Sequence, residues 1–292
     1  MYLCPSVVFH CTMIDIRPIT TSEEARHIEQ IIQAAWGADC HMAVPDHLTI
    51  TIARENGGVV LLAWDGDRPV GFCLGFLSYV ETDGEKRLKH CSHMAGVIPE
   101  YRGRRVGEMI KWAQREAVLA QGIDHITWTY DPLETLNGRL NIHKLGAICN
   151  TYKRNIYGDG RDSLNWGVPT DRFQVDWWLD SDWVQAHRDG THQDLSFTDW
   201  QAQGVGVLNE PTAVGGIWHA GEVDDKLFAE QRLLVAVPRD YQQVKKASVE
   251  LGLAWRLHSR DVFERAFARG FTVTDLLVAD SLCYYLLEKS TL

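Results

Sequence analysis

Five residues in one short stretch could together bind an anion. Arg102, Gly103, Arg104, Arg105 and Gly107 lie within six positions of each other. Glycines allow a backbone to approach a ligand closely, and arginines contribute positive charge with several hydrogen-bond donors. The chemistry that this composition predicts is the binding of a phosphate-bearing ligand.

The flanking sequence predicts a strand before this loop and a helix after it. Residues 94–98 are apolar, and Pro99 ends the strand because it has no N–H for a ladder. From Val106, apolar residues recur at nearly helical spacing until Gly122 stops the helix. Free N–H groups and the positive end of a helix dipole meet at such a helix start, which predicts an anion site there.

This stretch resembles the acyl-CoA-binding loop of the GNAT superfamily of N-acetyltransferases, which reads Gln/Arg-x-x-Gly-x-Gly/Ala. Arg102 and Gly107 match its first and last positions, whereas Arg105 replaces its middle glycine. Either the charge of Arg105 helps to hold phosphates or its side chain weakens cofactor affinity. The resemblance implies that an acyl-CoA, acetyl-CoA by default, is bound by Val97, Arg102, Gly103, Arg104, Arg105, Val106, Gly107 and Asn137.

The order of predicted elements extends the resemblance. We expect a strand at 13–19, helices at 22–36 and 46–54, antiparallel strands at 59–64, 70–80 and 87–98, and then the long helix. A strand at 123–130, a helix at 134–145, and strands at 148–158 and 172–179 follow. This is the GNAT order. The expected fold class is mixed α+β, with a largely antiparallel central sheet and flanking helices.

The resemblance also implies where acyl transfer would occur. In GNAT proteins, the strand that corresponds to 123–130 separates from the strand before the loop, and the thioester lies in the gap between them. The resemblance implies that the thioester would face the N–H near Val97 here. Asn137 fits an asparagine often found at the start of the next helix. The tyrosine that often acts as general acid falls at Ile142 here, so we consider Tyr152 as the acid, with Tyr157 as an alternative.

Candidates for the base and for substrate binding come from nearby strands. His93 lies four residues before Val97, on the same strand face, and histidine has a near-neutral pKa suited to a base. Asp131 and Arg172 are candidates for substrate contact, the latter for a carboxylate, as are Arg139 and Arg154. The alternatives are a hydrogen-bonded structural histidine, a helix-capping aspartate and arginines in structural ion pairs.

Composition limits the class of protein. The chain has 292 residues, a formal net charge of -10 and seven scattered cysteines without a Cys-x-x-Cys pair. The acidic balance argues against nonspecific nucleic-acid binding, and the cysteines suit reduced thiols in a cytoplasm. No apolar run reaches the roughly 18 residues of a membrane helix, and residues 1–12 do not resemble a signal peptide. We expect a cytoplasmic protein without a metal or membrane association.

The length predicts more than a GNAT domain. We assign 13–180 to the acyl-CoA-binding domain, 181–222 to a connector with short strands, and 223–292 to a smaller C-terminal α/β domain. The pattern of the C-terminal domain predicts a strand at 233–237, a helical segment at 240–269 in two pieces around Gly252, and a hairpin at 271–278 and 282–287. This order repeats that of 123–179 and could be a partial GNAT-like repeat.

These observations lead to one main hypothesis and two rivals. The main hypothesis is an N-acyltransferase that moves an acyl group from acyl-CoA to a small amine or amino acid by direct attack. The stretches ITWTYDPL and KLGA resemble a bacterial GNAT branch in which some relatives look tied to N-succinylation, which makes succinyl an alternative donor group. The rivals are a non-catalytic CoA- or ligand-binding module and an inactive scaffold that forms a homodimer.

Overall fold

The computed structural model describes residues 13–37, 43–82, 84–158 and 166–289. The chain divides into two compact units. Unit 1 comprises Met1–Tyr79 and Ser92–Gly122, and unit 2 comprises Val80–Cys91 and Ile123–Leu292. Among the described helices, none combines the length and the apolar character that crossing a membrane requires.

Unit 1 contains the predicted loop together with the elements that support it. Its elements are β1 (Asp15–Pro18), α1 (Ser22–Trp36), α2 (Asp46–Glu55), β2 (Val59–Asp65), most of the hairpin β3 (Arg68–Thr82) and β4 (Glu85–Val97), and α3 (Val106–Leu119). β1 pairs with β2 and β2 with β3, both antiparallel. The core is formed by buried residues of β2, by Ile28, Ile31 and Ile32 of α1, and by Val106, Ile110 and Val118 of α3.

Unit 2 contains the outer part of the β3–β4 hairpin and the rest of the chain. Its first elements are β5 (His125–Tyr130), α4 (Thr135–Gly138) with a π-helical continuation at Arg139–Lys144, β6 (Ile148–Lys153) and β7 (Arg172–Trp178). Next come α5 (Asp182–Asp189), α6 (Phe197–Ala202), β8 (Thr212–Val214) and β9 (Ile217–His219). The last elements are β10 (Arg232–Pro238), α7 (Tyr241–Ala247), α8 (Val249–Phe267), β11 (Phe271–Ala279) and β12 (Leu282–Lys289).

The sheet of unit 2 is mostly antiparallel. β5 pairs with β7, β7 with β6, β6 with β11, β11 with β12 and β12 with β10, all antiparallel. One parallel pairing joins the two sequence segments of this unit. His90 and Cys91 of β4 lie opposite Ile126 and Thr127 of β5. The predicted fold class, mixed α+β with a largely antiparallel sheet and flanking helices, is confirmed.

The stretch predicted as a connector with short strands is more regular than expected. It contains α5 and α6 in addition to the hairpin β8–β9. Both helices have serine N-caps, and Ser196 forms a capping box with Asp199 in which each side chain accepts a backbone N–H of the other residue. Helices this short show too few turns for a clear apolar period, so their caps are the stronger signal. The predicted boundaries at 180 and 222 stay a prediction.

The break in the last helical segment also differs from expectation. It lies at Ser248 and not at Gly252, because Ser248 Oγ accepts the N–H of Leu251 at 3.1 Å and starts a new helix. Gly252 serves close packing instead. A Cβ added there would lie 2.5 Å from Lys245 Cγ, so the two helices approach each other where glycine leaves room.

Candidate functional site

The loop after β4 is closed by hydrogen bonds at its start. Ile98 N–H donates to Val70 O at 3.0 Å, and a single 3-10 turn at Pro99–Tyr101 follows, closed by Arg102 N–H donating to Pro99 O at 3.2 Å. The buried Tyr101 donates its hydroxyl to Asp65 Oδ2 at 2.5 Å. This turn fixes the position from which the loop leads into α3.

A row of six backbone N–H groups follows without protein acceptors. Residues 102–105 form a turn, but within the described part of the chain no N–H from Gly103 to Glu108 makes a short, well-aligned hydrogen bond to a protein oxygen, and the next such bond is Met109 N–H to Arg105 O at 3.0 Å. The first N–H groups of a helix have no partner within the helix, and here the loop adds three more. Residues 103–105 are exposed, whereas Gly107 and Glu108 are half-buried and Val106 is buried, so the loop end of this row is the part most open to a ligand. An anion is the ligand that such a row favours.

The three arginines of the loop have different surroundings. Arg102 donates through Nη2 to Ala35 O at 2.8 Å and through Nε to Val97 O at 3.4 Å, which ties the loop to the end of α1. The Arg104 guanidinium lies over the ring of Tyr101, 4.7 Å from its centroid. Arg105 pairs with Glu108 at 2.7 Å, but 77% of its side chain is exposed. Two cations therefore remain near the N–H row in contact with solvent.

Arg105 also explains the departure from the GNAT pattern in physical terms. Its backbone has φ 61° and ψ 11°, the left-handed conformation. Glycine adopts this conformation without strain, whereas a residue with a Cβ pays about 1–2 kcal/mol. Arg105 thus adopts a conformation that favours glycine, and its side chain adds a charge at some cost in stability.

His93 has the exposure that a base would need. Its side chain is exposed, and its ring centroid lies 5.7 Å from that of Phe76 on the neighbouring strand. The adjacent Ser92 is buried and faces α3, where its Oγ accepts from Lys111 Nζ at 2.9 Å. Desolvation by the surrounding protein lowers the pKa of His93 below 6.5. The neutral form, which can accept a proton, therefore predominates at pH 7.

The predicted substrate residues of unit 2 occur together in a buried ionic cluster. Asp131, just after β5, accepts from Arg256 Nη1 at 2.8 Å and pairs with it a second time through Nη2. Arg172 Nη1 lies 3.6 Å from Asp131 Oδ2. Asp131 Oδ1 also accepts the N–H of Leu133 at 2.9 Å, which closes a turn before α4, whereas the N-cap of α4 is Glu134 and has no side-chain capping bond. Both carboxylate oxygens of Asp131 are thus occupied by protein groups.

The cluster extends along one side of α8. Arg256, Arg260 and Glu264 follow each other at intervals of four residues, so their side chains project from one face. Arg260 donates to both oxygens of Asp171 at 2.8 and 2.9 Å. Arg154 Nε donates to Glu264 at 2.6 Å. The helix therefore connects the end of β5, the start of β7 and the end of β6.

Tyr152, the predicted general acid, belongs to this cluster. Its hydroxyl donates to Asp171 Oδ2 at 2.9 Å, and burial followed by the nearby Asp171 raises its pKa far above the usual value. A tyrosine in this setting is a weak proton donor, since its proton is held by a carboxylate. Tyr157 is 63% exposed and its hydroxyl lies 3.1 Å from Thr129 Oγ1. It is the more accessible of the two tyrosines.

Two further positions were singled out by the sequence. Asn137, predicted to touch the cofactor, is exposed in α4. Ile142, at the position of the usual tyrosine, is fully buried in the π-helical turn. Among the described residues, no group of three or more His, Cys, Asp and Glu side chains could hold a metal ion.

Sequence reasoning missed the partners Arg256, Arg260 and Asp171, of which Arg256 and Asp171 are buried. Charged residues on a helix usually lie on a solvated face. Trp255, Ser259 and Val262 are buried at helical spacing, and Arg256 is adjacent to this buried stripe and itself fully buried. The position of Arg256 beside Trp255 is the one signal in the sequence that could have indicated burial.

Comparison with solved structures adds the following. The ribosomal-protein-S18-alanine N-acetyltransferase from Escherichia coli is 15% identical, over 63% of this chain and 100% of that chain, with a TM-score of 0.44. NAA60 from Arabidopsis thaliana, in complex with acetyl-CoA, is 13% identical over 57% of this chain and 99% of that chain, with a TM-score of 0.44. An acetyltransferase of the GNAT family from Streptococcus pneumoniae is 12% identical over 56% and 98%, also with a TM-score of 0.44.

Neither the protein-family models nor the curated proteins give a match to this chain. GNAT acetyltransferases are thus among the solved structures that this chain is similar to. The similarity is distant, so a function has to be argued from the chain's own residues.

Proposed function

We propose that this protein is a GNAT-type N-acyltransferase that transfers an acyl group from acyl-CoA to the amine of a small molecule or amino acid. The observation that carries the proposal is the row of unpartnered N–H groups from Gly103 to Glu108 at the start of α3. The loop that carries this row resembles the CoA-binding loop of the family in composition. It also lies after a strand and before a helix, where the family binds the CoA pyrophosphate. Arg104 and Arg105 supply positive charge beside it.

The residues of unit 1 would share the work as follows. The N–H groups of 103–108 and the positive end of α3 bind the phosphates and fix the cofactor's orientation. Arg102 acts through the loop, because its guanidinium holds the loop against Ala35 and Val97. A backbone N–H near Val97 would stabilise the charge that develops on the thioester oxygen.

His93 is the candidate for the base. Direct attack needs a neutral amine, and a base near the reacting amine must take its proton. The lowered pKa of His93 keeps its imidazole neutral and able to accept that proton at pH 7. Tyr152 and Tyr157 remain candidates for protonating the leaving thiolate, and the exposure of Tyr157 favours it over Tyr152. Asn137 stays a predicted cofactor contact.

Asp131 and Arg172 stay predictions for acceptor binding. Asp131 accepts from Arg256 and Leu133 and lies near Arg172, so its carboxylate has little capacity left for a substrate. Arg172 also donates to Asp171 O at 2.8 Å. Two alternatives remain to be separated by experiment. Acetyl-CoA and succinyl-CoA as donors distinguish the acyl group, and small amines and amino acids as acceptors distinguish the acceptor class.

A pair of variants at Gly107 tests the cofactor site. Asp at the first turn of a helix is favourable for the helix but repels a bound phosphate, whereas Asn has the same size without the charge. Calorimetric titration with acetyl-CoA and succinyl-CoA should show binding to the native protein. We expect Gly107→Asp to weaken it at least about tenfold more than Gly107→Asn, a difference of about 1.4 kcal/mol. Equal affinities for the two variants, or no binding to the folded native protein, would remove the assignment.

A second variant tests catalysis against simple binding. We expect His93→Gln to lower turnover about a hundredfold while acyl-CoA affinity changes less than twofold, because a base acts only on the reacting amine. The native rate should fall only below about pH 6.5, since the folded pKa of His93 is lowered, and the variant should lack this acid limb. His47→Gln, at an 82% exposed position of α2, is the matched control. Acyl-CoA binding without turnover on an amine panel would favour the non-catalytic module.

A further inference from the structure

Unit 2 contains a pocket that the proposed acyl transfer does not use. Its volume is about 270 Å³, roughly nine water molecules at about 30 Å³ each. Phe197 of α6, Trp218 of β9 and Tyr284 of β12 contribute aromatic rings to its wall, and Glu210 and Gln201 contribute polar groups. Aromatic rings beside a few polar groups are also found in small-molecule sites, and this cavity is slightly smaller than their usual range of about 300–1,000 Å³.

The aromatic wall is held in place by contacts outside the pocket. The rings of Phe197 and Tyr284 stack with centroids 4.1 Å apart. Trp218 donates its indole N–H to Ser281 Oγ at 2.8 Å, and its carbonyl accepts from Trp255 Nε1 at 2.8 Å. Because the polar edge of the indole is already bonded, the Trp218 ring can present only its apolar atoms and its π face to a ligand.

The polar groups of the pocket, in contrast, have no protein partners. Among the described residues, no hydrogen bond or ion pair reaches the Glu210 carboxylate, the Gln201 amide or the Tyr284 hydroxyl. Burial, and next to it the negative charge of Glu210, raise the pKa of Tyr284, so the carboxylate lies within electrostatic reach of the ring. The pocket thus has an unpaired carboxylate and three aromatic side chains among its lining residues.

We propose that this pocket binds a small organic cation, an ammonium group on an apolar body, with Glu210 as its counter-charge. The ammonium would gain an ion pair with Glu210 and cation–π attraction from the rings, each of which favours a cation over a neutral molecule of equal size. An anion would be repelled by Glu210. The proposal does not rest on acyl transfer, since a protein that binds no acyl-CoA could still bind an amine here.

Three probes of similar shape and different charge test the proposal. Phenethylamine is cationic at pH 7, 2-phenylethanol is neutral, and 3-phenylpropionate is anionic. In calorimetric titrations of the full chain at low salt, we expect phenethylamine to bind about tenfold more tightly than 2-phenylethanol and 3-phenylpropionate not to bind. Added salt should weaken the amine more than the alcohol, because Glu210 is exposed.

One charge-neutralising variant and one control complete the test. Glu210→Gln keeps the shape of the side chain and should bring phenethylamine to within about threefold of 2-phenylethanol. Glu230→Gln, an exposed glutamate outside the pocket lining, should leave the tenfold preference unchanged. Equal binding of amine and alcohol by the native protein, no binding of the amine, or an unchanged preference in Glu210→Gln would each overturn the proposal.

Discussion

The loop of unit 1 and the buried ionic cluster of unit 2 use their arginines in opposite ways. The loop arginines of unit 1 are exposed, and Arg105 pairs with Glu108 only three residues away. In unit 2, Arg256 is fully buried and pairs with Asp131, 125 residues earlier in the chain. The loop therefore keeps its positive charge for a ligand, whereas the cluster uses its charge to hold distant segments together.

The difference is energetic as well as spatial. An exposed ion pair on a helix contributes about 0.3–0.5 kcal/mol, because water solvates both partners well when they separate. Removing one partner of a buried pair costs about 3–5 kcal/mol, because the other charge is left without compensation. Substitutions of the same chemistry should consequently give very different results in the two regions.

The largest expected effect comes from removing the acidic partner of Arg256. Asp131→Asn preserves the side-chain shape but leaves Arg256 charged and buried, and we expect the free energy of unfolding to fall by about 3–5 kcal/mol. Glu108→Gln, the corresponding change in the loop, should cost less than about 1 kcal/mol. Guanidinium denaturation measures both.

The double variant Asp131→Asn with Arg256→Met sharpens the comparison. It removes the buried charge together with its partner, so it should be more stable than Asp131→Asn alone. A cost for Asp131→Asn similar to that of Glu108→Gln would mean that the cluster is well hydrated and that the contrast between the regions fails.

An intermediate, pH-dependent effect is expected at Asp171. Burial by itself would raise its pKa, but the bonds from Arg260, the Asn155 N–H and Tyr152 lower it overall below 3.8. A carboxyl whose folded pKa is lowered stabilises the fold above its unfolded pKa and loses that contribution as the pH falls. Native stability should therefore decline below about pH 4, and Asp171→Asn should lack this part of the decline. Parallel acid profiles for the two proteins would contradict this.

The smallest effect is expected in the loop backbone. Arg105→Gly relieves left-handed strain of about 1–2 kcal/mol but adds about 0.5–1 kcal/mol of unfolded-state entropy, for a net gain of about 0.5 kcal/mol. Arg104 has a negative φ, so Arg104→Gly relieves no strain, and it should destabilise through the entropic cost and the loss of the contact with Tyr101. Thermal denaturation of both variants tests this, and a loss of stability in Arg105→Gly would show that the left-handed backbone is not strained.

The same variant addresses the role of the Arg105 side chain in binding. Titration of Arg105→Gly with acyl-CoA shows whether the arginine raises or lowers the affinity for the cofactor.

Much of the fold followed from local pattern. Alternation of apolar residues and the stops at Pro99, Gly122 and Gly270 predicted most strands and long helices within a few residues, because side-chain period and backbone punctuation are local properties. The loop was predicted for the same reason: glycine, arginine and a helix start occur within six consecutive residues.

The sequence by itself determined the candidate anion loop, the order of elements and the choice of His93 as a strand residue on the same face as Val97. Only the tertiary structure decided which charges are buried and with which partners. Asp131 pairs with Arg256, and Asp171 pairs with Arg260. In both pairs the partners are far apart in the sequence, so no local sequence pattern indicates the pairing. The same holds for the pocket around Glu210, whose walls come from four separate stretches. Burial depends on what packs against a face, and that is a property of the whole fold rather than of neighbouring residues.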